Sequence, residues 1–388
     1  MKKLAIITTH PIQYYAPVFR LLHARGIIGI RVFYTLGASD GPQNDPGFGL
    51  DITWDIPLLE GYEYEWVENI AATRGSANFG GIVNPRLIAQ INAWQPDAVL
   101  VVGWAYDSHL KALKHFKNKI PVYFRGDSTL TDQKTGLKSL LRLLFLKQVY
   151  RNVDHAFYVG QNNKAYFKKY GLKDHQLTFA PHAIDNDRFK QDRQQEADAL
   201  RLSLNVLSDD TLIVYAGKFK PAKNVDLLLS AFIKINKPST HLLLVGNGED
   251  EQALKKAASE SNIAPNIHFT DFKNQSYMPV IYQAADLVCL PSEKNETWGL
   301  CINEAMACSK AVLVSDKCGC AIDLVQNGKN GFIFKSGSID ELATGLTTLT
   351  MDGTMLKQYG EASAKKIEPW NFLNIATAIE NQLLHEKI

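Results

Sequence analysis

Short apolar runs recur along this chain at strand length, and helical periodicity fills the intervals between them. In the first half the runs are 4–8, 29–34, 98–102, 121–124, 155–159 and 177–180. Helical patterns at 85–94, 137–150 and 162–170 separate several of them. The runs are apolar almost throughout rather than alternating. Strands of that kind are covered on both faces, the condition of a parallel sheet between helical layers. The pattern pauses over the polar segment 186–210, where 194–204 reads as a helix, and then restarts. Further strands are expected at 212–216, 242–245, 267–269, 287–290, 311–314 and 331–334. The fold class is therefore α/β, with two doubly wound domains, 1–188 and 189–369. The last helical stretch follows a Pro369-Trp370 break, and residues 370–388 are expected to cross back onto the first domain. Turn-forming composition marks 37–49 and 75–81 as loops.

A chain of 388 residues has room for two full cores. Its formal net charge of +2 makes no case for nucleic-acid binding. The N-terminus has two lysines but only a short apolar run before His10-Pro11, and reads as a first strand rather than a secretion signal. No uninterrupted apolar stretch reaches bilayer length. Cys289, Cys301, Cys308, Cys318 and Cys320 are odd in number and mostly in apolar company, which suggests reduced thiols in the cytoplasm. Cys318-Gly319-Cys320 has no second ligand pair at metal spacing and reads as a turn.

Open parallel sheets bind ligands at the carboxyl ends of their strands, so the residues leaving each strand carry the functional argument. After 285–290 comes the polar loop 291–295, and then Glu296-Thr297-Trp298-Gly299-Leu300-Cys301-Ile302-Asn303-Glu304. Glu296 falls on the loop and Glu304 about two turns into a helix that opens near Trp298. Such a pair can touch two ends of a ligand lying across the helix N-terminus. That terminus, Trp298 to Leu300, offers N–H groups and a positive dipole end to a phosphate. Gly217, Lys218 and Lys223 leave the strand 212–216. Two ammonium groups there can neutralise a departing diphosphate. A solvated lysine cluster is the ordinary alternative. Gly246 and Gly248 end another strand. A lone Gly-x-Gly is weak evidence and either admits a nucleotide or makes a turn. Phe272 follows the next strand, where backbone groups can read a base edge or simply form a plain strand-to-loop exit.

Three polar, aromatic-rich exits mark the first half: His10, Gln13 and Tyr14; Trp104 and His109; Arg125 and Asp127. Together they suggest an acceptor pocket. Asp185-Asn186-Asp187 is a DxD triplet, but it opens the interdomain segment and is not read as a metal site. Residues 134–151 form a basic, strongly apolar helix. It suits either an anionic membrane surface or a core helix with a basic outer edge.

From Leu212 to about Phe334 these motifs resemble the large retaining family four of glycosyltransferases. The resemblance rests on the lysine turn, the Gly-x-Gly exit, the Glu-x7-Glu pair and the segment 319–331. It implies the GT-B fold, two Rossmann-like domains facing across a cleft, with the acceptor on the first and the nucleotide sugar on the second. It also implies a hexosyltransferase type of activity, with Glu296 on the donor sugar and Glu304 on the ribose. The family's phosphate clamp is Arg then Lys followed by Gly. Here Lys218 takes the Arg position, Lys223 matches, and Asn224 replaces the Gly. The first half departs further. His10-Pro11-Ile12-Gln13 stands where the family has a glycine-rich turn, and Arg125 stands at its acceptor-side histidine, with Asp127 nearby. Pro181-His182-Ala183-Ile184-Asp185 is similar to the family hinge.

The expected catalytic set is Glu296, Lys218, Lys223 and Asp127. The expected donor set adds Glu304, Gly217, Gly246, Gly248, Phe272, Trp298, Gly299 and Leu300. The acceptor side is His10, Gln13, Tyr14, Trp104, His109 and Arg125. No metal or cofactor is expected, and a UDP- or GDP-sugar is the substrate. The partners are that nucleotide sugar and a sugar or lipid-linked acceptor, without nucleic acid. The expected location is the cytoplasm, with peripheral contact at the inner face of the membrane, in cell-surface polysaccharide or glycolipid synthesis. A sugar-nucleotide epimerase and a non-enzymatic nucleotide-sugar-binding protein remain as alternatives. An NAD oxidoreductase is disfavoured, because Glu251 stands where a third glycine belongs.

Overall fold

The computed structural model describes residues 1–38, 43–45, 50–132 and 136–385, with the side chains of 43–45 and 50 left aside. Most of the expected loop 37–49 and the first residues of the basic stretch 134–151 lie outside the described residues.

The first half contains strands β1 (Lys3–Thr8), β2 (Gly29–Tyr34), β3 (Gln43–Asp45), β4 (Leu50–Ile52), β5 (Tyr64–Trp66), β6 (Ala98–Val102), β7 (Val122–Arg125), β8 (His155–Tyr158) and β9 (Leu177–Phe179). Its helices are α1 (Ala16–Arg25), α2 (Leu87–Trp94), α3 (Asp107–Phe116), α4 (Leu137–Tyr150) and α5 (Gln161–Lys169). Seven strands form one sheet in the order β5-β2-β1-β6-β7-β8-β9. Every pairing in it is parallel. Leu4, Ala5, Ile6 and Ile7 are fully buried along β1, as a strand covered on both faces requires.

The second half contains α6 (Asn186–Lys190), α7 (Gln194–Ser203), α8 (Val225–Ile235), α9 (Glu251–Ser259), α10 (Met278–Ala284), α11 (Leu300–Ala307), α12 (Ala321–Leu324), α13 (Ile339–Leu349) and α14 (Gly353–Ile367). Its strands are β10 (Thr211–Ala216), β11 (Thr240–Val245), β12 (Ile267–Thr270), β13 (Leu287–Leu290), β14 (Ala311–Ser315) and β15 (Gly331–Phe334). They form a second parallel sheet in the order β12-β11-β10-β13-β14-β15. Both sheets are Rossmann-like, with strand order reversing direction between β1 and β6 in one and between β10 and β13 in the other. Such a switch point opens a crevice at the carboxyl ends of the two strands.

Two compact units result. One comprises Met1–Gly41, Pro57–His182 and Phe372–Ile388, and the other Pro42–Ile56 and Ala183–Asn371. The final helix, α15 (Phe372–His385), lies in the first unit and packs against α1. Arg25 donates to both carboxylate oxygens of Glu380, at 2.8 and 3.0 Å, which compensates an acid that is only 2% exposed. The division places Pro42–Ile56 in the second unit, although the surrounding sequence builds the first. Asn274 Nδ2 donates to the Thr53 carbonyl at 2.6 Å, Ser276 N donates to the Asp55 carboxylate at 3.2 Å, and Trp54 meets Phe272 edge-on. Polar side chains anchor this segment. No apolar strand run announces it, so the sequence boundary near 188 passes it by. Among the described residues, no helix is long and apolar enough to cross a membrane.

Candidate functional site

In the second unit the loops leaving β10 and β13 sit at the switch point. A 3-10 turn, Pro221–Lys223, follows β10 and ends at Asn224, whose φ is 55°. Asparagine tolerates this left-handed conformation better than most residues, so it fills the position where the family pattern has Gly. The turn is tied to the loop after β13 by Glu293 N donating to the Ala222 carbonyl at 2.9 Å. Across that tie Lys223 Nζ meets Glu296 Oε2 at 2.6 Å, and Ser292 Oγ donates to the same oxygen at 3.0 Å. Burial opposes the charge on Lys223. The Glu296 carboxylate outweighs it and raises the lysine pKa. The sequence-predicted Glu296 and Lys223 therefore form one charged centre. Lys218 is half-buried on the same turn, and its carbonyl accepts from the Tyr215 hydroxyl at 2.9 Å.

Glycines bring the neighbouring loops together. A Cβ on Gly246 would lie 2.0 Å from the Gly217 carbonyl oxygen, so only a glycine fits where the two strand exits touch. Gly299 caps α11 with φ 100°. The helix beyond it directs its first N–H groups back toward the loop, since the first turn has no intrahelical partners for them. Trp298 is buried, and its Nε1 donates to Asn303 Oδ1 at 2.8 Å, so its ring fastens the helix start. Glu304 is 4% exposed and accepts from the Tyr282 hydroxyl at 2.8 Å. Phe272 N donates to Asn247 Oδ1 at 2.8 Å, so the side chain between Gly246 and Gly248 positions the strand exit carrying Phe272.

In the first unit a cavity of about 410 Å3 opens beside the strand ends, lined by residues including Trp104, Asp127, Arg142, Phe145 and Tyr150. Of the predicted acceptor-side and catalytic residues, Trp104 and Asp127 share this cavity. His10 is half-buried, with Nδ1 2.9 Å from Thr9 Oγ1, and burial lowers its pKa. Gln13 and Tyr14 are half-buried in the turn that leads into α1. His109 is fully buried, with Nε2 2.8 Å from Thr35 Oγ1 and Nδ1 2.8 Å from the Gly103 carbonyl. Its ring brackets two strand exits from beneath. Arg125 is also buried and donates to the carbonyls of Ala180 and Pro181, both at 2.8 Å. It thereby buttresses the chain where it leaves this unit. Beside it, His182 Nε2 lies 4.0 Å from Asp127 Oδ2, and the His182 ring stacks on Tyr15. Burial pushes the His182 pKa down to about 4, against the opposing pull of Asp127 and with a smaller push from Arg125. Asp185 of the DxD triplet caps α6 by accepting from Arg188 N at 3.1 Å.

Residues 197–366 match the family described as "Glycosyl transferases group 1". The matched residues lie within the second unit. The chain is 27% identical over 217 residues to the lipopolysaccharide 1,2-N-acetylglucosaminetransferase of Salmonella typhimurium, covering 53% of this chain and 56% of that one. It is 26% identical over 215 residues to a GDP-mannose-dependent alpha-(1-6)-phosphatidylinositol monomannoside mannosyltransferase of Mycolicibacterium smegmatis, covering 53% of this chain and 56% of that one. The matches thus span about half the length of these curated relatives. In fold, the whole chain resembles Anabaena HepE, solved in complex with UDP and glucose, with a TM-score of 0.74, 19% identity and full coverage of both chains. The two-unit α/β architecture fits the GT-B fold.

Several residues around the charged centre of the second unit carry no signal in the sequence. Tyr282 and Ser292 hold the two glutamates, yet a tyrosine in an apolar helix and a serine in a polar loop carry no periodic or motif signal. Gly319 N donates to the Glu296 carbonyl at 3.0 Å, which ties the cysteine-rich turn to the loop after β13. Cys301 lies between the acids. Burial, and then the fields of Glu296 and Glu304, hold its pKa well above the ordinary thiol value.

Proposed function

We propose that this chain is a retaining glycosyltransferase that moves a hexose from a UDP- or GDP-sugar to a hydroxyl acceptor. The observation that carries the reading is the Lys223–Glu296 pair, held at 2.6 Å at the switch point beside Lys218 and the start of α11. The diphosphate lies against Lys218, Lys223 and the α11 N-terminus. Glu304 receives the ribose hydroxyls, and Glu296 holds hydroxyls of the sugar. Negative charge grows on the diphosphate as the C1–oxygen bond breaks, and fixed ammonium groups and N–H dipoles stabilise it without reorganisation. The acceptor oxygen bonds to C1 on the face that the phosphate leaves, and its proton passes to a phosphate oxygen. Configuration is kept, and no protein base is required.

On the first unit the Trp104 and Asp127 cavity suits an acceptor with an apolar body and a hydroxyl. The donor nucleotides follow the relatives, whose names or complexes include GDP-mannose and UDP. The acceptor class follows them too, toward cell-surface polysaccharide or glycolipid made on the cytoplasmic side. Lysine charge replaces a divalent cation, so a chelator should leave turnover unchanged.

The test is a panel of radiolabelled UDP- and GDP-sugars with sugar and lipid-linked acceptors, followed by NMR of the product anomer. Transfer with retained configuration is expected. Inversion overturns the mechanism, and the absence of both transfer and donor hydrolysis across the panel overturns the activity. A donor isomerised without acceptor would assign an epimerase instead.

A further inference from the structure

Helix α4 carries two apolar faces. Leu146, Val149 and Tyr150 join the core of the first unit. Leu137, Leu140, Leu141, Leu144 and Phe145 recur at i, i+3, i+4, i+7 and i+8 and stand 48 to 74% exposed. That spacing makes one continuous stripe on the outside of the helix. A soluble helix ordinarily turns polar residues outward, so this stripe needs an occupant.

The charges beside it say which. From Gly136 to Arg151 the sequence has Lys138, Arg142, Lys147 and Arg151 and no acid. Leu140, Leu144, Lys147 and Arg151 fall at i, i+4, i+7 and i+11, so the apolar stripe runs directly into basic residues along one line of the helix. There a second cavity, of about 350 Å3, is lined by Lys117, Lys147 and Arg151 together with Tyr150, Tyr170 and Gln176. Lys117 is also paired with Asp154. Self-pairing of the face would bring two basic rims together without a compensating acid on either helix. An anionic amphiphile satisfies both parts at once, its chains against the leucines and its phosphate in the basin.

We propose that α4 docks the first unit on an anionic phospholipid surface. The leucine stripe lies in the acyl boundary, and the Lys147 and Arg151 basin receives a lipid phosphate. The lysines flanking the stripe extend toward the headgroups while their stems remain in apolar contact. The proposal stands apart from the transferase reading, because partitioning measures it and turnover does not.

The test is cosedimentation of the full chain with vesicles of phosphatidylcholine alone and with phosphatidylglycerol making up about a third of the lipid. Strong, salt-sensitive binding to the anionic vesicles alone is expected. Leu141→Asp/Leu144→Asp should weaken it about tenfold or more by removing apolar insertion. Lys147→Glu/Arg151→Glu should weaken it to a similar degree, about tenfold, and remove most of the salt dependence. Both pairs are exposed, so unchanged thermal unfolding would show that the variants fold. Equal binding to neutral vesicles, or variants that bind as the wild type does, would overturn the proposal. So would a wild-type dimer in sedimentation velocity that the leucine variant dissociates, without lipid binding, since the face would then belong to a second copy.

Discussion

Lys223 and Glu296 lie 73 residues apart in sequence and 2.6 Å apart in space. Each supplies the charge that makes the other's burial tolerable, so removing one leaves its partner as a half-buried charge without compensation. Lys223→Ala should lower turnover by about 10²-fold or more, with a loss of affinity for the nucleoside diphosphate itself, since the ammonium acts on the leaving group. Glu296→Ala should cost turnover on the same order, about 10²-fold, while leaving free diphosphate binding largely intact. Steady-state rates beside calorimetry of the diphosphate separate the two. Unchanged rates would remove both residues from the mechanism. Tyr282→Phe takes a hydroxyl from the buried Glu304 carboxylate and should cost about 1–3 kcal/mol of stability, read by denaturant unfolding. The charged residues were legible because they occupy strand exits, where acids and lysines have few structural reasons to cluster. Tyr282, Ser292 and the clamp at Asn247 were not, because their partners come from other strands and helices and leave no local pattern.

At the scale of elements, the apolar strand runs predicted the sheet members well, since a strand buried on both faces has little compositional freedom. The short edge strand β5 is only three residues long and left no comparable run. Helix α4 shows the limit of periodicity from the other side. Its sequence is apolar on nearly every turn, and only the packing of Leu146, Val149 and Tyr150 tells which face is inside. The loop after β6 has a different dependence. It is bracketed by His109, which burial pushes down to about 4 against backbone hydrogen bonds that favour its charge. The folded state holds this ring neutral, whereas the unfolded chain protonates it near 6.5. Its contribution is therefore complete above pH 6.5 and is lost as pH falls toward 4. The slope is about 1.4 kcal/mol per pH unit for one proton. His155 and His268 are displaced in the same sense by burial. Unfolding free energies measured from pH 7.5 to 4.5 should fall steeply below about 6.5, and His109→Gln should remove one proton from that slope. A slope unchanged in the variant would show that the ring titrates normally in the fold.

The whole molecule repeats one architecture, a parallel sheet with a switch point, and furnishes the two copies with different side chains. The second unit concentrates cations, acids and a helix start at its switch point. The first presents an aromatic cavity with one carboxylate and an outward helix of leucines and basic residues. The excursion Pro42–Ile56 belongs to the second unit through Thr53, Trp54 and Asp55, a connection with no local pattern in the 388 residues because it depends on side chains of Asn274 and Ser276. Asp55→Ala should expose that segment and speed its cleavage by a protease, with the rest of the chain intact, and cleavage at the wild-type rate would deny it an anchoring role. A donor that binds only the folded chain should raise the unfolding temperature in proportion to the logarithm of its concentration above the dissociation constant. The most direct measurement is a crystal structure of the full chain with a nucleoside diphosphate sugar. The diphosphate is expected within hydrogen-bond distance of Lys218 and Lys223 at the start of α11, with the ribose on Glu304 and the sugar on Glu296. A ligand ordered elsewhere, with the Lys223–Glu296 pair untouched by it, would rule out a donor site at this switch point.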